Sequence, residues 1–340
     1  MLEKPNVPDA KIAEGLRERY GLANTAIEFL PIGYDASAWA YRVTASDGQR
    51  YFLKLRRGRV HHASAAVASY LEAHGVPEVV APLPTRAGQL SAPLDDYTLL
   101  LFPWIEGHTG MAADGGLSDG QWIAYGDIVR GIHATRLPAA LAGAMTREDF
   151  TLKHGWGDFA RHLSATLPQR DYENPYERAF ARLWLAHNDK IIAIVEQAER
   201  LGGWLRRNPP PFVLCHGDIH TANLLVTPDG ALRVVDWDQP ILAPRERDLM
   251  FVIGPGLQPT RTEAIFFAGY GATEVDALAL AYYRYEWCVQ EFCDFAARIF
   301  ALEDVGDATK ADSVRGFQQL FTPGDVVAEA HKAGRMAWVE

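Results

Sequence analysis

Cysteine is scarce in this chain: Cys215, Cys288 and Cys293 are the only three in 340 residues, and no two stand in a Cys-x-x-Cys spacing. That leaves no even framework of disulfides and no thiolate zinc site, and it favours a reducing compartment. Basic residues are also short, with 33 Lys and Arg against 43 Asp and Glu for a formal charge of −10. Proteins that bind nucleic acid generally concentrate positive charge to neutralise phosphates, so no nucleic-acid partner is expected. No stretch approaches the roughly 20 uninterrupted apolar residues that a membrane helix needs. The first ten residues carry Glu3, Lys4, Asp9 and two prolines rather than the apolar core of a signal peptide. A cytoplasmic protein without a membrane partner is the expectation. Internal repeats and low-complexity tracts are absent as well. What the chain does have is 48% hydrophobic residues, ordinary for a folded protein with one large domain or two lobes.

The hydrophobic pattern changes character along the chain. Ile12, Leu16 and Tyr20 stand at helical spacing ahead of Gly21, which predicts an opening helix. Alternating, β-rich segments follow at Ile27 to Ile32, Ala38 to Thr44 and Arg50 to Leu55, with Ser46-Asp47-Gly48 as a turn. An Ala-rich helix is expected from His61 to His74, then two more strands at Val79 to Pro82 and Tyr97 to Phe102. Beyond Trp104 the pattern becomes mainly helical, as in Asp119 to Thr135, Arg178 to Leu201 and Ala277 to Leu302. A boundary near Pro103 to Gly107 divides the chain into two lobes, 1–103 and 104–340.

Two short β signals inside the helical part are each followed at once by polar residues. The first leads into Cys215-His216-Gly217-Asp218-Ile219-His220-Thr221-Ala222-Asn223, the second into Val235-Asp236-Trp237-Asp238. Phosphoryl transfer needs one carboxylate to take or orient the acceptor hydroxyl's proton, and an amide oxygen with a second carboxylate for Mg²⁺. Asp218 is the expected base, and Asn223 and Asp236 the expected metal ligands. Any one of these acids alone would more often be a turn or helix-cap residue. The alternation of His216, Asp218 and His220 also suits a hydrolase metal site, but the remaining histidines are scattered singly apart from His61 and His62. His216 is expected instead to hydrogen-bond backbone behind the loop.

Lys54 sits between apolar neighbours in Tyr51-Phe52-Leu53-Lys54-Leu55, where an ammonium is costly unless it meets an anion such as the phosphates of ATP. An outward-facing strand lysine is the alternative. Before it, Gly33-Tyr34-Asp35-Ala36-Ser37-Ala38 offers small residues, Gly33 and Ser37 among them, that let backbone N–H groups approach phosphates. The run Phe102-Pro103-Trp104-Ile105 reads as a hinge, with Phe102 behind an adenine slot and the Pro103 carbonyl and Ile105 N–H at the adenine edge; proline lacks only the donor.

With these motifs in place, the sequence resembles the aminoglycoside phosphotransferase family over nearly its whole length. The wider resemblance is to kinases with His-Arg-Asp, Asn and Asp-Phe-Gly, with Gly217 and Trp237 replacing the Arg and Phe. Val235-Asp236-Trp237-Asp238-Gln239-Pro240 and Leu242-Ala243-Pro244-Arg245-Glu246-Arg247-Asp248-Leu249-Met250-Phe251 are most similar to spectinomycin phosphotransferases. Ala281-Tyr282-Tyr283-Arg284-Tyr285-Glu286 and Phe321-Thr322-Pro323 add to this. The resemblance implies an α+β, two-lobed, protein-kinase-like fold: a small N-lobe with an antiparallel sheet plus one helix, and a larger, mainly helical C-lobe. It implies ATP and Mg²⁺ as cofactors, an aminocyclitol antibiotic as small-molecule substrate, and resistance to it as the outcome. Asp248 resembles the family's buried acid that braces the catalytic loop. For the substrate, Tyr285, Glu286 and Asp294 are the expected contacts, acids meeting amines and aromatic faces meeting rings.

One departure stands out: between Leu55 and Leu71 there is no acid to pair with Lys54, where such kinases place a helix glutamate. Either another residue such as His62 orients the lysine, or the ATP clamp is weakened. A metabolic kinase acting on choline or a thioribose sugar, and a nucleotide-binding pseudokinase, are the readings that compete with an antibiotic kinase.

Overall fold

The computed structural model describes residues 2–33, 35–111, 115–254, 260–302 and 305–336. Contacts divide the chain into two units, each built from several stretches. The first comprises Met1–Thr146, Val213–Leu242 and Ile265–Ala272; the second comprises Arg147–Phe212, Ala243–Ala264 and Thr273–Glu340. The architecture is mixed α+β, with an antiparallel sheet in the N-terminal region and a helical C-terminal part.

Helix α1 (Asp9–Tyr20) stops at Gly21, whose left-handed conformation closes the last turn. The sheet is formed by β1 (Ala26–Leu30), β2 (Ala38–Thr44), β3 (Arg50–Arg57), β4 (Ala92–Leu94) and β5 (Tyr97–Pro103), in the order β1-β2-β3-β5-β4, with α2 (His62–Ala73) between β3 and β4. In β3 the side chains alternate as a strand requires. Leu53 and Leu55 are fully buried, and Lys54 and Arg56 share the opposite face. The strand expected at Val79 to Pro82 does not form. Val79 makes an isolated bridge to Val234, and the strand paired with β5 is β4 instead. Pro77 stands just before this segment and Pro82 ends it, and neither has an amide to donate to a ladder, which accounts for the difference.

After β5 the chain pairs again at once. The short β6 (His108–Thr109) lies beside β9 (Leu224–Val226), and β9 pairs with β10 (Leu232–Val234). This places the segment after the hinge against the segment after the catalytic loop. Gly107 makes the approach possible: a Cβ there would lie 2.2 Å from the Val226 carbonyl oxygen. Between β6 and β9 come α3 (Asp119–Ala134), α4 (Ala139–Ala144), β7 (Thr146–Arg147), α5 (Trp156–Thr166), α6 (Pro175–Arg207) and β8 (Phe212–Cys215). After β10 follow β11 (Ile241–Pro244), α7 (Glu246–Leu249), α8 (Arg261–Tyr270), α9 (Ala277–Phe300), α10 (Asp307–Gln319) and α11 (Val326–Met336).

The core of the second unit is carried by α6 and α9. Asn174 caps α6, its Oδ1 accepting from the Tyr176 amide at 2.8 Å, with Pro175 at the first helical position. Phe180, Trp184, Ile191, Ile194, Ala198, Leu201 and Leu205 then repeat at helical spacing and are buried. Phe292 of α9 and Phe317 of α10 pack into the same cluster, Phe317 stacked 5.7 Å from Trp184.

In the first unit, α3 crosses the end of α8 with backbone against backbone. A Cβ on Gly126 would stand 2.1 Å from the Phe266 carbonyl oxygen, and one on Gly269 would stand 1.9 Å from that of Ile123. The crossing seats Tyr125 edge-on to Phe266 at 5.0 Å, and the Tyr125 hydroxyl donates to the Ile219 carbonyl beside Asp218. Gly126→Ala or Gly269→Ala is therefore expected to destabilise the protein by about 1–3 kcal/mol, as overpacking does. Gly143→Ala in α4, with nothing within 4 Å of the new methyl, should be neutral or stabilise by about 0.5–1 kcal/mol. Urea unfolding of the three variants checks the contrast.

Candidate functional site

Asp218 follows Gly217, and the glycine is required twice over. Its φ is +89°, and a Cβ would come within 2.5 Å of the Gln239 carbonyl oxygen. An arginine at this position, as in the wider kinase pattern, would not fit that approach. Next to it His216 is fully buried. Its Nδ1 accepts from the Asp218 amide at 3.2 Å, which leaves Nε2 to donate to the Val235 carbonyl at 3.0 Å. The ring also meets Trp237 edge-on at 4.5 Å. His216 thus bonds backbone on both sides of the loop.

Asn223 sits at the end of a short helical turn, Thr221–Asn223. Its Nδ2 donates to the Asp218 carbonyl at 2.7 Å and lies 3.4 Å from the Asp218 carboxylate, and its own carbonyl accepts from the Val235 amide at 3.0 Å. Val235 is therefore held through both its N–H and its C=O. The residue after it, Asp236, adopts a φ of +65°, a conformation a non-glycine side chain keeps only where its surroundings fix it. His220 Nε2 lies 3.5 Å from Asp218 Oδ2, and its Nδ1 accepts from the Ala222 amide.

Lys54 reaches this segment from β3. Its Nζ lies 2.7 Å from Asp236 Oδ1 and 2.7 Å from Asp238 Oδ2. Burial by itself would pull the ammonium down, but the charges and hydrogen bonds of Asp236 and then Asp238 more than offset it and hold Lys54 well above the usual lysine range. Arg56, on the same face of β3, donates to Asp238 Oδ2 and lies 3.4 Å from Asp35. Burial would raise the Asp35 carboxyl, yet the Arg56 charge and two hydrogen bonds from Ser37 hold it below the usual carboxylate range. Those bonds run from the Ser37 amide and hydroxyl to Asp35 Oδ1, at 2.7 and 2.6 Å.

The expected phosphate loop is partly in place. Gly33 has a φ of +89° with open space around it, and Tyr34 lies outside the described residues. The Ser37 amide is bonded to Asp35 rather than turned outward. In the hinge, Phe102 opposes Phe52 across β5 and β3 with ring centres 6.3 Å apart, and Pro103 ends β5 opposite Tyr51. Ile105 follows, flanked by Trp104 and by Glu106, which accepts from the Trp104 ring N–H at 2.9 Å. Asp218, Asn223, Asp236, Lys54, Gly33, Ser37 and the hinge all belong to the first unit.

The remaining expected site residues lie in the second unit. Asp248, in α7, is 1% exposed, so it is not a surface acid. Glu286 is 3% exposed and pairs with Arg247 at 2.7 Å, and Tyr285 packs against α11 with its hydroxyl 3.5 Å from His331 Nδ1. Asp294 keeps 39% of its side chain exposed and pairs with Arg298 one turn on. The side chain of His62 lies outside the described residues. Arg56, Asp35, Ser64, Tyr125 and Asp238 were not assigned roles from the sequence. For one of them a signal existed, since Arg56 stands two residues from Lys54 in the same strand, the spacing that keeps strand side chains on one face.

An amide oxygen and a carboxylate are the hard donors that Mg²⁺ takes. Because Nδ2 is the end of Asn223 bonded to the loop, its oxygen is the end able to serve a cation. Asn223 and Asp236 thus fit that ion by donor type.

Residues 27–288 match the sequence profile APH, the phosphotransferase enzyme family. Protein StrN of Streptomyces griseus is 27% identical over 293 residues, covering 83% of this chain and 82% of its own. The crystal structure of spectinomycin phosphotransferase APH(9)-Ia with ADP and spectinomycin superposes with a TM-score of 0.83 at 26% identity, covering 97% of this chain and all of that one. Amicoumacin kinase hAmiN, in complex with AMP-PNP, Ca²⁺ and Ami, shares the fold with a TM-score of 0.60 at 15% identity, covering 94% of this chain and 95% of its own.

The close approach at Gly217 predicts that Gly217→Ala costs more than conformational strain alone. Gly230 has the similar φ of +85° with nothing nearer than 4.0 Å to a new Cβ, so Gly230→Ala should lose about 1–2 kcal/mol from the left-handed backbone. Gly217→Ala should lose at least about 1 kcal/mol more, as overpacking does, read from the difference between the two variants in denaturant unfolding.

Proposed function

Since this chain belongs to the phosphotransferase enzyme family, we propose that it is an ATP- and Mg²⁺-dependent kinase that phosphorylates a hydroxyl of an aminocyclitol antibiotic, spectinomycin first among them, and so confers resistance. The observation that carries the substrate reading is the likeness, over 97% of this chain, to a spectinomycin phosphotransferase with its drug and ADP in place. The chemistry is supported by Lys54 and Asp236 meeting at 2.7 Å beside the loop that fixes Asp218 and Asn223.

In this reading residues 1–103 form the nucleotide-binding lobe and 104–340 the lobe that carries the catalytic loop and the acceptor. Asp218 takes the proton of the acceptor hydroxyl as that oxygen forms its bond to the γ-phosphorus and the bond to the ADP oxygen breaks. Asn223 and Asp236 would hold Mg²⁺, whose charge would help neutralise the phosphates. Lys54 meets the phosphates, Gly33 and Ser37 lie along them, and Phe102, Pro103 and Ile105 receive the adenine. His216 supports the loop from behind, and Asp248 keeps the structural role that the family resemblance gives it. Of the proposed acceptor contacts Tyr285, Glu286 and Asp294, the first two are packed in the interior of the second unit and Asp294 has the greater exposure.

The test is ATP consumption by the purified protein with Mg²⁺, offered spectinomycin, other aminoglycosides and choline in turn. Turnover confined to spectinomycin is the expected result. Turnover with choline alone would replace the antibiotic reading by a metabolic one, and none with any acceptor would favour a pseudokinase. Asp218→Ala should lower turnover by about 10²–10⁴-fold, the worth of a general base, with unfolding behaviour unchanged.

A further inference from the structure

The helix that would supply a glutamate to Lys54 has no acid facing it, yet the lysine is not left alone. We propose that Asp238 is the positioning residue for Lys54, replacing the helix acid with a carboxylate from the segment that follows β10. The proposal deepens the kinase reading and rests on it.

Three observations carry it. First, Asp238 Oδ2 stands 2.7 Å from Lys54 Nζ, and the Asp238 side chain is 16% exposed against 44% for Asp236. The more exposed carboxylate is the one the kinase reading assigns to a cation. An acid committed to a cation is a poor permanent partner for an ammonium, so a second acid is needed to hold Lys54. Secondly, Asp238 accepts from Arg56 as well, so its carboxylate bridges the two cations that alternate on one face of β3. Thirdly, the helix takes part without an acid. Ser64, 6% exposed in α2, donates its hydroxyl to the Asp238 carbonyl at 3.2 Å and so ties that segment to the helix. The role that one helix side chain would fill is thus divided, with the charge on Asp238 and the link to the helix on Ser64.

Two readouts test it. In the protein without nucleotide, Lys54 is exposed to a brief pulse of acetic anhydride and its acetylation followed by peptide mass spectrometry. Asp238→Asn should let it react several-fold faster, because one of the two carboxylates that hold the ammonium at 2.7 Å is gone. With nucleotide, the same variant should raise KM for ATP about tenfold, the loss of one charge-assisted contact, with KM for the acceptor unchanged. Asp238→Glu should recover both values, and Ser64→Glu in the Asp238→Asn background should recover them in part by returning the charge to the helix. Acetylation at the wild-type rate, or ATP bound as tightly as or more tightly than by the wild type, overturns the proposal. So does a KM defect that excess Mg²⁺ removes, which would make Asp238 a cation ligand. Wild-type protein that turns over no ATP sinks the kinase reading instead, and the acetylation result still decides whether Asp238 holds Lys54.

Discussion

An ammonium lifted from water onto the face of a strand has to be answered by negative charge, and much of the first unit is arranged around that demand at Lys54. Leaving a charge buried without a partner costs several kcal/mol. Here two carboxylates at 2.7 Å answer it, with Arg56 and Asp35 extending the alternation of charge toward the loop before β2. Each member lies where its neighbours need it because β3 carries the cations at strand spacing and the Asp236 segment carries the acids at the same spacing. Strand geometry on one side and a fixed loop on the other set the register of the whole cluster.

The loop can be fixed because its backbone is held where it would otherwise relax. Val235 is bonded through its amide to Asn223 and through its carbonyl to His216, and Gly217 lets the catalytic segment run against Gln239. Asp236 can then keep a left-handed conformation that a free chain would avoid. Tyr125 bonds the Ile219 carbonyl from α3, and α3 is set by its glycine crossing with α8. Helix packing away from the charged groups thus reaches the residue beside Asp218 through the Tyr125 hydroxyl.

Much of this was legible in the sequence, for physical reasons that differ by residue. The strand around Lys54 was visible because one of its faces is buried, which forces alternation. Asp218, Asn223 and Asp236 were singled out because their spacing matches a known chemical need. Val79 to Pro82 read as a strand because its side chains are buried, but burial alone does not provide a ladder partner. Tyr285 and Glu286 read as ligand contacts because aromatic and acidic side chains serve equally in a core and in a site. Only packing separates the two uses, and here Glu286 is paired with Arg247 in the interior. The charge bridge through Asp238 was beyond reach for a different reason: Lys54 and Asp238 are brought together only by the fold, and neither residue's neighbours in sequence announce the other.

A missing glutamate suggests a weakened clamp only if the charge must come from the helix. Electrostatics asks for a carboxylate at hydrogen-bonding distance and is indifferent to the element that delivers it. What changes with the donor is the mechanical coupling. A helix acid makes the lysine's position depend on where the helix sits, whereas Asp238 ties it to the segment that also carries Asp236, two residues away. Ser64 preserves a link to α2 through a neutral hydrogen bond of modest strength. Lysine and acids then move with one rigid turn of backbone, and α2 influences the site through the hold of Ser64 on that turn.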